Sequence, residues 1–384
     1  MRGVSAPNSH HLYVHVPFCR LVCAYCDFVT VGGRSHDIPR YVDALLAELA
    51  TRPHPGKLRT IYFGGGTPSL LDPAQVERVL KAARRHWSQQ AIEEVTLEAN
   101  PSAREAPDWS GLRDAGVTRI SLGVQSMRDE DLRTLARGHG AAEAVAAYRA
   151  ARDAGFDNVS LDLIYGIPGQ SLADWASGLD AAISLHPDHV SLYALSLVLE
   201  PDAWAAPPRR GALRWRGRLA GAQDDELAVA QYRHAEARLA AAGYEHYELS
   251  SWSRPGRASR HNAAYWARRP YTGIGAGAHS FDGARRSWNH RDLDRYLACV
   301  AAGAPPVEGS ELLDAATIAW EAIALGLRRV EGVSPAELGG ALLPRHDLAL
   351  RDAEARGLIE RGDTIRLTAE GRVMANEVLA ALLP

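Results

Sequence analysis

The chain has 384 residues, 46% of them hydrophobic, a formal net charge of −3 and four cysteines. That apolar content suffices for a large core, and the charge excludes broad electrostatic attraction to nucleic acid. No apolar run approaches the ~18 residues that span a bilayer. With so few cysteines and no secretory leader pattern, the thiols are expected to stay reduced and the chain to be cytoplasmic.

A short apolar strand, Leu12–Val16, and the turn Pro17-Phe18 lead into Cys19-x3-Cys23-x2-Cys26. Three thiolates can hold three corners of a [4Fe–4S] cube and leave the fourth iron open to bind and reduce a ligand. A zinc site with His15 as fourth ligand is the alternative, but the chain has no second cysteine pair of the kind such sites use. His15 reads better as a residue that orients the loop. The remaining cysteine, Cys299, lies in a helical pattern from Leu293 to Ala302 and reads as a small hydrophobe.

Further strands are expected at Thr60–Phe63, Val95–Ala99, Arg119–Val124, Val159–Tyr165 and Val190–Leu195. Helical patterns separate them at Tyr41–Ala50, Pro73–Trp87, Trp109–Ala115, Ala142–Ala154 and Leu172–Leu185. Six strands alternating with helices predict parallel β/α units, hence an α/β fold built as a partial (β/α)6 barrel whose functional groups gather at the strand C-terminal ends. Residues 200–222, with Pro201, Pro207, Pro208 and the run Arg209–Arg218, read as an exposed, partly mobile loop. That basic run is either a solvated face or a contact for an anion such as a porphyrin carboxylate. A helix over Asp224–Ala242 then leads to Tyr244–Leu249. Helices at Ala315–Leu327, Ser334–Leu342 and Asp347–Arg356, the last capped by Asp347, precede a β-wing over residues 357–368 and a final helix, Ala369–Leu383. This is a mainly helical, winged-helix-like pattern. It lacks the positive reading helix of a DNA binder, so a protein-interaction or lid role fits it better. The expected domains are 1–200, the partial barrel; 201–305, a barrel extension; and 306–384, the C-terminal domain.

Phe63-Gly64-Gly65-Gly66-Thr67-Pro68 follows the second strand, and glycines let backbone approach a ligand closely. Polar residues sit at or near later strand ends in Leu97-Glu98-Ala99-Asn100-Pro101, Ser121-Leu122-Gly123-Val124-Gln125-Ser126 and Leu161-Asp162-Leu163, and Arg137 lies in Leu135-Ala136-Arg137-Gly138-His139. Carboxylates suit ribose hydroxyls and amino groups, and an arginine can clamp a carboxylate.

The three-cysteine loop resembles that of the radical S-adenosylmethionine (SAM) superfamily. Together with the ordered motifs and Arg260-His261-Asn262-Ala263-Ala264-Tyr265-Trp266, the chain is similar to the HemN/HemW family within it. That resemblance implies that Cys19, Cys23 and Cys26 hold a [4Fe–4S] cluster. It implies that Tyr13, Tyr25, Gly65, Gly66, Thr67, Glu98, Gln125, Arg137 and Asp162 line the SAM pocket, and that His261 binds heme, with Tyr265 and Trp266 walling the macrocycle. His279, in Gly275-Ala-Gly-Ala-His279-Ser, is a second heme candidate. The heme-chaperone branch fits better than the oxygen-independent coproporphyrinogen III dehydrogenases. Phe28 stands where the dehydrogenases carry a fourth cysteine, only 18 residues precede Cys19, and the His-Asn-x-x-Tyr-Trp segment is present. One departure is Ser259, where family members often have cysteine. The partner implied is a heme acceptor, such as a membrane-associated respiratory hemoprotein, with the chain itself a monomer or dimer. Oxidative decarboxylation of coproporphyrinogen III, and methyl transfer or cyclopropanation by a related enzyme, are the competing functions.

Overall fold

Alternation along six strands sets the architecture. The strands are β1 (Ser9–Val16), β2 (Lys57–Gly65), β3 (Glu94–Ala99), β4 (Arg119–Gln125), β5 (Val159–Tyr165) and β6 (His189–Ala194), seen in a computed structural model that describes residues 9–88, 91–197, 210–338 and 344–383. One face of each strand is apolar and buried: Leu12 and Val14, Ile61 and Phe63, Val95 and Leu97, Ile120 and Leu122, Leu161 and Leu163, Val190 and Leu192. These side chains pack under helices such as Ile38–Thr51, Pro73–His86, Ala141–Asp153 and Leu172–Ser184. The intervening residues are polar and hydrogen-bond to one another: His11 to Thr60, Tyr62 to Glu98, Ser121 to Asp162, Ser160 to His189. Because successive side chains on a strand point to opposite faces, apolar groups meet the helices and polar groups line a lumen.

All five pairings from β1 through β6 are parallel and in sequence order. The sheet stays open. Beside β1 lie Tyr271–Ile274, His279–Phe281, Arg285–Asn289 and Val307–Leu312, and beyond β6 lie Ser251–Ser253 and Glu245–Glu248. Six β/α strands continued by added strands at both edges form the expected partial barrel. The antiparallel strands after residue 271 were not legible, because short polar strands such as Arg285–Asn289 lack an alternating apolar signal.

A second core holds the C-terminal helices and wing together. Ile323, Leu327, Val333, Leu350, Leu358, Ile359, Leu367 and Val378 pack around the hairpin Ile359–Arg361 with Ile365–Leu367. Three local expectations change here. Asp347 does not cap a helix. Helix Pro344–Ala355 begins earlier, at a proline suited to a first turn, and the Asp347 carboxylate binds Arg351 and Arg361. The final helix divides at Met374 into Ala369–Val373 and Ala375–Ala380. The helix expected over Ser334–Leu342 is described over Pro335–Leu338, and the rest of that span lies outside the described residues.

The largest correction concerns residues 200–222. Pro201, Pro207, Pro208 and Arg209 lie outside the described residues, but Arg210–Ala220 is a helix rather than an exposed loop. Composition made this stretch look solvated. Helical periodicity turns Trp215 and Arg216 inward, and Trp215 Nε1 donates to the Thr134 carbonyl at 3.0 Å.

Glu48, buried on helix Ile38–Thr51, joins the barrel to its edge extension. Its carboxylate accepts from Arg52, Asn289, the Gly275 amide and the Tyr296 hydroxyl. Deleting one member of a buried charged network leaves the others unsatisfied. Glu48→Ala should therefore lower unfolding stability by about 3 kcal/mol in denaturant titrations, whereas Glu77→Ala, in an exposed pair with Lys81, should change it by less than about 0.5 kcal/mol.

Candidate functional site

The register of β1 on β2 puts His15 beside Gly64 and Val16 beside Gly65, so the end of β2 lies directly under the start of the cysteine loop. No side chain fits there. A Cβ on Gly65, whose φ is +114°, would lie 2.5 Å from the His15 ring, and one on Gly66 would lie 2.7 Å from the Phe18 carbonyl oxygen. The Gly66 amide donates to Val16 O and the Thr67 amide to Phe18 O, both at 2.8 Å. The glycine run is thus the seat of the loop.

Cys19 is buried, while Cys23 and Cys26 are half-buried, and all three are free thiols. Thr67 Oγ1 donates to Cys19 Sγ at 3.6 Å and Arg137 Nη1 to Cys23 Sγ at 3.0 Å. Burial pushes the Cys19 thiol up to about 12 and that of Cys26 to about 11, so metal coordination is what would deprotonate them. Three soft sulfur donors on one loop, with a guanidinium at hand to balance negative charge, are the donor chemistry an iron–sulfur cube takes, although among the described residues no three such side chains already stand together as a metal-holding group. His15 does not offer a fourth ligand. Its Nε2–H donates to Val29 O at 2.8 Å and its Nδ1 accepts from Tyr13 OH at 3.1 Å, which ties β1 to the far end of the loop.

Around this loop the structure gathers most of the residues expected at the SAM pocket. Arg137 also donates to Tyr25 OH, Asn100 Oδ1 and Gly123 O, at 3.2, 2.8 and 2.8 Å. Asn100 in turn donates to Thr67 Oγ1 at 3.0 Å. Glu98 accepts from Tyr62 OH at 2.7 Å and from the Gly65 amide at 3.1 Å, and Tyr62 stacks on Tyr13 at 6.2 Å between ring centroids. Asp162 stands across the lumen, accepting from Ser121 and Ser160. Gln125, at the end of β4, and Ala136, before Arg137, are held at positive φ of 70° and 53°. Such strain in non-glycine residues persists only where the surroundings over-determine it. Beside Cys23, Arg137 and Asn100 a cavity of about 520 Å³ opens to solvent.

Two contributors were missed by sequence reasoning. Asn100 was quoted within a motif but given no role, and it bridges Arg137 to Thr67. Arg216 was read as part of a basic loop. It is 1% exposed, and its guanidinium donates to Ala24 O at 3.1 Å, Cys26 O at 3.2 Å and the Asp27 carboxylate at 2.5 Å, with Trp215 beside Tyr25. The helical spacing of Trp215 and Arg216 was the available signal.

His261 lies below this cluster, with its ring 5.1 Å from that of Tyr62. It belongs to helix Arg260–Trp266, capped by Ser259 and held by the Glu94 carboxylate, which accepts the Arg260 and His261 amides at 2.9 and 3.0 Å. Glu94 opens β3, so the helix sits at the strand N-terminal ends, opposite the cysteine loop. The His261 ring is fully buried. Nδ1 bonds Thr60 Oγ1 at 2.7 Å and Nε2 bonds Tyr265 OH at 3.0 Å, and burial holds its pKa well below the ordinary histidine value. His279 is half-buried on the strand His279–Phe281.

Residues 13–181 match the Radical SAM superfamily. The parallel barrel with three cysteines at its strand C-terminal ends thus defines a radical SAM protein. The chain is 40% identical over 381 residues to the heme chaperone HemW of Mycobacterium tuberculosis (strain ATCC 25618 / H37Rv), covering 97% of this chain and 94% of the relative. It is 33% identical over 380 residues to the heme chaperone HemW of Bacillus subtilis (strain 168), covering 97% and 98%. The chain belongs to the HemW family of radical SAM proteins. The solved structure of coproporphyrinogen III oxidase (HemN) from Escherichia coli shares its fold, with a TM-score of 0.82 over 98% of this chain and 90% of that chain at 22% identity.

Two measurements test the site. Cys23→Ala should abolish the broad visible absorbance and sulfide content of anaerobically reconstituted protein, since one of three protein ligands is lost. Burial, with the Asp162 charge adding to it, raises the Glu98 carboxyl from 4.5 to about 7. A carboxyl that keeps its proton longer when folded contributes no penalty below pH 4.5, and its growing penalty lowers stability as pH rises from there to about 7. In denaturant titrations of the cluster-free chain, Glu98→Gln should flatten this segment of the stability profile relative to wild type.

Proposed function

We propose that this chain is a heme chaperone that binds heme and passes it to an acceptor hemoprotein, with a [4Fe–4S] cluster and SAM at the strand C-terminal ends of the barrel. The observation that carries the reading is the coextensive similarity to two HemW heme chaperones, at 33–40% identity over 97% of the chain. Phe28, exposed beside Cys26 and Asp27, supports the same branch.

Cys19, Cys23 and Cys26 would hold the cluster, which would supply an electron and an iron open to a ligand. The chain's own residues hold and orient. Gly65 and Gly66 seat the loop on the end of β2, beside which the methionine end of SAM is expected to lie. Arg137 balances charge at Cys23 and fixes Tyr25, a flanking aromatic. Glu98 and Asp162, in the lumen below, present carboxyl groups to the amino or ribose groups of the cosubstrate, and Gln125 offers an amide at the end of β4. Arg216 fixes the outer side of the loop through its carbonyls.

No helix among the described residues is long and apolar enough to cross a membrane. In this reading the protein works in the cytoplasm and reaches an acceptor, such as a membrane-associated respiratory hemoprotein, by contact. The C-terminal helices and wing are the surface proposed for that contact, and nucleic acid has no part in it.

Full-length protein, reconstituted anaerobically, should bind Fe(III) protoporphyrin IX stoichiometrically, restore absorbance to an apo-hemoprotein, and form no protoporphyrinogen from coproporphyrinogen III with SAM and reductant. Decarboxylated product formed with SAM turnover would replace the chaperone reading with the dehydrogenase one. S-adenosylhomocysteine as product would indicate methyl transfer.

A further inference from the structure

The cavity of about 520 Å³ beside Cys23 has a basic outer rim. Arg20 and Leu21, between the first and second cysteines, line it with His36 and Arg104. Arg20, His36 and Arg104 are exposed, and Leu21 shows 53% of its surface. Among the described residues neither Arg20 nor Arg104 has an ion-pair partner or a side-chain hydrogen bond. The acid among the lining residues is Glu105, which is 8% exposed and accepts from Asn100 at 3.0 Å. Of the carboxylates on adjoining segments, Asp37 accepts from Arg34 at 2.7 Å and Glu143 accepts the Ala103 and Gly140 amides, both at 2.9 Å. Two guanidinium groups therefore face solvent around an apolar side chain.

This rim is fastened to the sulfur it borders. Arg137 donates to Cys23 Sγ and to Asn100 Oδ1, and Asn100 donates to Glu105. Arg104 precedes Glu105 in a turn begun by Ser102, whose hydroxyl accepts the Arg104 amide at 3.3 Å. Leu21 lies over Gly138, where an added Cβ would stand 3.4 Å from Leu21 Cδ2. A body resting on Arg20, Leu21 and Arg104 thus meets the cysteine loop on its outer side, away from the lumen.

A cluster at that loop needs an electron. Three of the four cysteines are in the loop, so the chain has no thiol set for a second cluster, and the electron comes from another molecule. Resting on the cluster reading above, we propose that Arg20, Leu21 and Arg104 form the docking surface for an acidic one-electron carrier protein. Electron-transfer encounters are small and weak. Opposite charge speeds and orients such encounters without a deep fit. In the transfer the carrier is oxidised by one electron and the cluster is reduced by one, and no atom is exchanged.

The test uses a small acidic flavoprotein carrying FMN as probe and a basic c-type cytochrome as its opposite. Binding is measured by calorimetry on the full-length, cluster-free chain. The flavoprotein should bind at low ionic strength and weaken as salt is added. The double variant Arg20→Glu with Arg104→Glu should lose about tenfold or more in affinity for it, with no loss for the cytochrome. An equal charge change at exposed sites elsewhere, Lys57→Glu at the start of β2 with Arg85→Glu in the last turn of helix Pro73–His86, should alter affinity by less than about twofold. In reconstituted protein, stopped-flow reduction of the cluster by the reduced flavoprotein should slow by a similar factor in Arg20→Glu with Arg104→Glu. Reduction by the methyl viologen radical cation, small and positive, should not slow. The assignment is overturned if wild type does not bind the flavoprotein, if the rim variant binds it as wild type does, or if the control variant loses as much. It is also overturned if the rim variant loses Fe(III) protoporphyrin IX but keeps the flavoprotein, which would make the rim a porphyrin-carboxylate contact. If wild type takes up no cluster, the cluster reading falls, and binding to the cluster-free chain still decides whether an acidic protein docks on this rim.

Discussion

Close approach of two backbones, possible only without side chains, organises this molecule. Gly65 ends β2 and Gly66 follows it where Pro17 and Phe18 leave β1, and the two segments are in such contact that any Cβ would displace the loop. The hydrogen bonds of the Gly66 and Thr67 amides to Val16 and Phe18 then set the angle at which the cysteine loop crosses the barrel mouth. Thr67, Asn100 and Arg137 follow from that seat, because each reaches a cysteine sulfur directly or through the next. The site is an extension of strand register rather than an ornament on a loop.

The lumen beneath has an unusual composition for the inside of a small barrel. Tyr62 pairs there with Glu98, Ser121 and Ser160 with Asp162, Ser160 with His189, and Thr60 with His11 and His261. Buried polar groups are tolerated when they are hydrogen-bonded, and they hold side chains in unique positions. At the top burial raises the Glu98 pKa to about 7 against the hydrogen bonds from Tyr62 and Gly65, and at the bottom the polar groups enclose His261. The same network thus joins a cofactor end and a floor, with Tyr265 the residue that passes from the floor into a side cavity. Arg216 adds an outer tie, since a single buried guanidinium satisfies two carbonyls and a carboxylate of the cysteine loop from a distant helix.

Much of this was legible from the chain alone. The expected strands β1 to β6 and their helices lie within a few residues of the observed ones, because long apolar alternation and caps such as Ser171 and Asp72 leave little choice. After residue 200 the reading was uneven: helices such as Asp225–Ala241 and Ala315–Leu327 were expected, but the helix Arg210–Ala220 and the edge strands were not. An arginine-rich run carries the same composition whether it is solvated or helical, and short polar edge strands have no signature until a neighbour supplies their hydrogen bonds.

The order of chemical groups was therefore determined by sequence: three thiols on one loop, a glycine run after the next strand, carboxyl, amide and guanidinium groups at or beyond later strand ends. Covalent spacing and the two-residue strand period dictate those placements locally. Which groups face each other was decided only by tertiary structure. His261 and His279 are both histidines near aromatic residues in sequence, yet helix packing seals one under the lumen and strand pairing places the other at an open cavity. Burial and access belong to contacts between segments far apart in the chain, and no local pattern encodes them.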